Sequence, residues 1–140
     1  MIITDEKILR QMSKEVTKVD PKMLKDMEDA MKKLDGIGIS AIQIGKAHRV
    51  FLAGNPAQVF INPKIIDKST YSKVDWEGCL SCPGAHVRVR RSHTITIKYT
   101  DLEGKEIKRK FKGFEARVIQ HELDHLNGFL IKDRGKVYQE

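Results

Sequence analysis

The sequence predicts an α+β fold in which antiparallel or mixed β-sheets wrap around one central helix near the end of the chain. Three observations predict it. Segments with strand character dominate the first two-thirds, Thr94-Ile95-Thr96-Ile97-Lys98-Tyr99-Thr100 alternating strictly. Phe114, Val118, His121 and His125 repeat with a period near ~3.6 residues, the signature of one helical face. The strands come mostly first and this helix late, the α+β order. The 140 residues are read as one domain, residues 1–140, long enough to bury a core.

Taken in order, residues 5–10 suit a short helical turn. Asp20-Pro21 is a helix start, Asp at the N-cap and Pro at the first helical position. Met23, Leu24, Met27, Ala30, Met31 and Leu34 follow as an apolar stripe, and Asp35-Gly36 stops it. A methionine stripe at this spacing is core packing. Gly36-Ile37-Gly38-Ile39-Ser40-Ala41-Ile42-Gln43-Ile44-Gly45 lacks the lysine of a phosphate loop and the spacing of a dinucleotide site. Gln43 is a lone amide in an apolar run and needs a partner once buried. Arg49–Ala53 and Val59–Ile66 read as strands, with Asn62-Pro63 marking an edge or a break. Thr94–Thr100, the turn Asp101–Gly104 and Glu106–Lys112 form a hairpin with one wet face. Lys136–Glu140 is expected to fray.

The central helix carries His121-Glu122-Leu123-Asp124-His125, and Asn127-Gly128 ends it. Histidines four apart sit one turn apart on one face, so both imidazoles can reach one metal ion with Glu122 beside them. A single helical histidine is ordinarily a core residue. Two of them around a carboxylate are costly to bury without a partner. Cys79 or Cys82, in Glu77-Gly78-Cys79-Leu80-Ser81-Cys82-Pro83-Gly84, can complete the site. Three arrangements compete at this point: a closed structural Cys2His2 site, a redox dithiol, and one cysteine with two histidines leaving a position open for water.

Three further features bound the function. No apolar run is long enough to cross a membrane as a helix. Met1–Glu6 bears acids where a signal peptide needs a basic and then an apolar stretch, so a cytoplasmic chain is expected. The net charge of +7 fits a solvated lysine-rich surface in the first place, and it would also aid transient association with anionic surfaces or RNA-rich assemblies such as the ribosome. The basic residues are dispersed with few aromatics among them, which argues against specific nucleic-acid recognition.

Glu77-Gly78-Cys79-Leu80-Ser81 and His121-Glu122-Leu123-Asp124-His125, preceded by Gly36–Gln43, resemble in order the three signature motifs of the peptide deformylases. The first motif departs from the usual pattern at Ile39 and Ser40, where the family commonly has Leu and Ala. The resemblance implies a deformylase-like fold and hydrolysis of the formyl amide of N-formylmethionyl nascent peptides. It implies one divalent metal ion, Fe2+ in the first place with Zn2+, Ni2+ or Co2+ able to substitute, on Cys79, His121 and His125. It implies Glu122 as the catalytic base, with the Gln43 side chain and the Leu80 backbone N–H stabilising the oxyanion. Ile37 and Gly38 correspond to positions where substrate pairs as an added strand. Ile37, Phe114, Val118 and His121 are candidate walls of the methionine pocket. Cys82 is left as packing or pocket wall, its side chain expected on the opposite face from Cys79. Asp124 is expected to pair with Arg91.

Overall fold

A computed structural model describes residues 1–140. Helix α1 is Glu6–Leu9, its first turn capped by the Asp5 carboxylate. Helix α2 is Pro21–Lys33, where Asp20 accepts a hydrogen bond from Lys22 N at 2.9 Å. Strands follow at Gly38–Ser40 (β1), Val50–Ala53 (β2), Gln58–Lys68 (β3), Ser72–Cys79 (β4), Cys82–Ser92 (β5), Thr94–Thr100 (β6) and Glu106–Lys112 (β7). Helix α3 spans Gly113–Leu126, and β8 is Val137–Gln139. A 3₁₀ turn, Ala41–Ile44, leads out of β1.

The strands form two antiparallel sheets, one ordered β1-β2-β3-β6-β7 and one ordered β4-β5-β8. The α2 stripe expected from the sequence is buried, whereas in α3 the expected row turns to the cleft, with Phe114, Val118 and His121 lining it and Phe114 66% exposed, and a different row enters the core. Met23, Met27 and Met31 of α2 pack on Ile39, Val50, Leu52 and Ile61. Each buried methionine contributes roughly 2 kcal/mol of apolar burial. On the other side of the large sheet, Ala116, Ile119, Leu123 and Leu126 of α3 meet Phe51, Phe60, Ile95, Ile97 and Phe111. The opposite face of α3 is polar and ties to the small sheet. Gln120 bridges the main chain of Ser92, its Oε1 accepting at 3.2 Å and its Nε2 donating at 2.9 Å. Arg117 donates to the carbonyls of Val89 and Lys73. The helix is therefore held between both sheets, as the α+β reading requires.

Four expectations change. The β4–β5 hairpin was not visible as strands, because its inward row ends in charge: Val87, Val89 and then Arg91 on β5 face a carboxylate, Glu77, on β4. Cys82 does not face away from Cys79. Leu80-Ser81 form a tight turn rather than extended chain, so the two cysteines become cross-strand partners and share one cleft. Asn62-Pro63 does not mark an edge, since β3 is interior. It does break the ladder: the register slips between Ile61 and Lys64, and the Asn62 amide pairs instead with the main chain of Val16 at 2.9 and 2.8 Å. Lys136–Glu140 is not frayed, because β8 pairs with β5 and Glu140 N donates to Gly84 O. A three-residue strand is too short to show alternation.

Candidate metal centre

Helix α3 delivers His121 and His125 one turn apart, their ring centroids 5.1 Å apart. The end of β4 delivers Cys79. Its Sγ lies 3.3 Å from Nε2 of His125, and the donor atoms of all three residues lie within 4.8 Å of one another. A tetrahedral ion with bonds of ~2.0–2.3 Å separates its ligands by roughly 3–4 Å. The set is thus close to that spacing, and its chemistry, one thiol and two imidazoles, suits a borderline divalent metal.

The histidines are held differently. Nδ1 of His121 is engaged with Glu77 Oε1 at 2.9 Å, which leaves its Nε2 for the centre. Glu77 is buried and also accepts from Arg91 Nη2 and Nε, both at 2.9 Å, and from Arg117 Nη1 at 2.7 Å. Burial alone would raise its pKa. The hydrogen bonds and charges of Arg91 and His121 win and hold it far below the usual carboxylate range. Burial likewise pushes His121 down, but the contact with Glu77 and the nearby carboxylates lift it. His125 has no such partner. Its Nδ1 is buried without a hydrogen bond, and burial drives its pKa well down. The one polar contact of this ring is the Nε2 contact with Cys79, and a cation between them would repay the cost of burying it. The Cys79 thiol is pushed up by its hydrogen bond with Cys82 and then by burial. A bound cation reverses that order, since a coordinating thiol is deprotonated outright.

These groups face a cleft of 490 Å³. Ile37, Gly38, Gln43, Cys79, Leu80, Phe114, Val118, His121 and Glu122 all line it, and His125 lies buried behind Cys79. Every site residue read from the sequence is thereby gathered in one place. Gln43 is buried at the turn after β1. Its Oε1 accepts from Ser40 N at 2.9 Å, and its Nε2 donates to Ser81 Oγ at 3.0 Å with Cys79 Sγ at 3.7 Å. Glu122 is buried, and burial raises its pKa. Phe114 and Ile37 stand at the rim, 66% and 43% exposed. Asp124 pairs with Arg91 at 2.6 Å, as expected, and also with Arg134.

Sequence reasoning assigned no role to Glu77 or Arg117. The signal for the first was its spacing, two residues from Cys79 on a strand and so on the same face. Arg117 stands four residues before His121, one helical turn along the same face.

A family model described as polypeptide deformylase matches residues 1–139. The peptide deformylase of Dictyoglomus thermophilum is 44% identical over 133 residues, covering 91% of this chain and 86% of that protein. The crystal structure of peptide deformylase from Thermotoga maritima superposes with a TM-score of 0.91 at 38% identity, covering 97% of both chains. That of a Synechococcus elongatus peptide deformylase in complex with actinonin gives 0.89 at 35% identity, covering 96% of this chain and 77% of the other.

Proposed function

Because this chain belongs to the polypeptide deformylase family, and is an enzyme that removes the formyl group from the N-terminal formylmethionine of new polypeptides, we propose how its own residues divide that work. Residues 1–140 act as one catalytic domain. Cys79, His121 and His125 hold a divalent metal ion, Fe2+ in the first instance, with Zn2+, Ni2+ or Co2+ able to take its place. The observation that carries this reading is the convergence of those three donors beside Glu122 in one cleft.

When bound, a divalent ion supplies Lewis-acid chemistry, polarising a carbonyl and lowering the pKa of water from ~16 towards ~7. The protein's own groups do the rest. Glu122 takes a proton from the attacking water at its carboxylate. The water oxygen adds to the formyl carbon, the C–N bond breaks, and Glu122 returns the proton to the leaving amine, giving formate and a free α-amine. A raised pKa suits a group that must carry and release a proton near neutral pH. Such acid–base help is typically worth ~10²–10⁴ in rate. Gln43 and the Leu80 backbone N–H donate to the oxygen that gains charge, each such donor being worth about 3–4 kcal/mol of barrier. The grip of Ser40 N on the Gln43 carbonyl oxygen supports this, since it turns the amide NH2 towards Cys79.

Gly38 lies on β1, the outermost strand of the large sheet, whose free edge can accept an extended peptide as an added strand. Ile37, Phe114, Val118 and His121 wall the methionine side chain. The substrate is met where translation occurs, so we infer action in the cytoplasm with transient ribosome encounters that the charge of +7 favours. No helix is long and apolar enough to cross a membrane.

The test is formate release from a short N-formylmethionyl peptide by protein loaded anaerobically with Fe2+, beside Glu122→Ala. Release by the first and at least ~100-fold less by the second is expected. No release from either, with metal bound to both, would overturn the assignment.

A further inference from the structure

The site as proposed leaves Ser40 without a task. It is fully buried, 0% exposed, and its hydroxyl lies 2.9 Å from Glu122 Oε1 and 3.1 Å from the main-chain oxygen of Glu122. We propose that Ser40 is the positioning residue for Glu122, its O–H donating to Oε1 so that Oε2 is the atom left to take the proton.

Four observations support it. The backbone alternation of β1 puts Gly38 and Ser40 on one face, both against Glu122, while Ile39 between them faces the α2 core. One face of this short strand is therefore given over to one carboxylate. Next, Ser40 is the sole protein donor to that carboxylate. A buried carboxylate with no donor is costly. Third, Gly38 leaves room for the other oxygen: a Cβ there would stand 2.6 Å from Glu122 Oε2. The side chain is thus held at Oε1 and given space at Oε2. Last, the hydroxyl has two acceptors within reach, Glu122 Oε1 at 2.9 Å and the main-chain oxygen of Glu122 at 3.1 Å, and the carboxylate oxygen is the nearer and the stronger.

The inference rests on Glu122 being the base, and the two can fail separately. Ser40→Ala and Ser40→Thr are prepared with metal, and metal content, kcat, KM and a crystal structure are obtained for each. Ser40→Ala is expected to keep its metal and KM while kcat falls about three- to tenfold, the scale of one hydrogen bond. Its Glu122 side chain is expected to leave the wild-type rotamer. Ser40→Thr, which retains the hydroxyl, is expected to recover most of kcat. The inference is overturned if Ser40→Ala keeps wild-type kcat or the wild-type Glu122 rotamer. It is equally overturned if the loss lies in KM or metal content, or if Thr is no better than Ala. Turnover retained by Glu122→Ala would instead overturn the base assignment itself.

Discussion

Glu77 accepts two hydrogen bonds from Arg91 and one from Arg117, and its Oε1 also meets Nδ1 of His121. One carboxylate therefore neutralises two buried guanidinium groups and aims an imidazole. Removing one partner from a buried ionic cluster strands the others, so Glu77→Gln is expected to destabilise the fold by about 3–5 kcal/mol in urea unfolding. Loss of such an outer partner also weakens metal binding by ~10–100-fold, which chelator competition measures. The pH dependence has a definite sign. The folded pKa lies far below the ordinary 4.5, so the stabilisation is complete above about that pH and is lost as pH falls further. In metal-free protein the stability gap between wild type and Glu77→Gln should narrow from pH 6 to pH 3; a constant gap would contradict the assignment. Cys82 offers the opposite expectation. It shares the cleft but stands outside the donor set, so Cys82→Ser should bind one metal per chain and retain turnover. Loss of metal would favour a closed four-ligand site.

Among the elements, β1 is three residues long and meets α2 through Ile39 and α3 through its other face. Gly38→Ala is expected to displace the Glu122 carboxylate and cut kcat by at least ~10-fold with metal retained. Met27→Ala in α2, fully buried but remote from the cleft, should cost about 2–5 kcal/mol of stability and leave kcat unchanged in the folded fraction. The legibility of elements follows the same physics. Helix α2, strands β6 and β7 and the end of α3 could be read because each has its own apolar period or a capping residue. The β4–β5 hairpin could not, since its buried row is built from Glu77, Arg91 and two valines, and ion pairing leaves no hydrophobic alternation to see. The cysteines follow from the same hairpin: in extended chain two thiols three residues apart point to opposite faces, and the Leu80-Ser81 turn brings them together.

At the scale of the whole molecule, the motif residues were legible because chemistry restricts them to few types, whereas the groups that hold them in place were not. Histidines one turn apart with a glutamate between them point to a metal helix, because burying all three without a partner is costly. Nothing local in the sequence says that Arg91, expected at Asp124, also grips Glu77, or that Ser40 faces Glu122 across 82 positions. The ion that the centre takes would also join the two sheets, since Cys79 belongs to the small one and the histidines sit on the helix packed against the large one. Stripping the metal is therefore expected to lower the melting temperature as well as end turnover, by an amount that grows with metal concentration over its dissociation constant. A melting curve indifferent to chelation would show that the fold does not depend on that link. The same division of donors gives the centre a direction in time. During synthesis Cys79 leaves the ribosome more than forty residues ahead of His121. Through that interval it is a thiol beside the turn of the β4–β5 hairpin, and the two imidazoles that converge on it arrive only with α3.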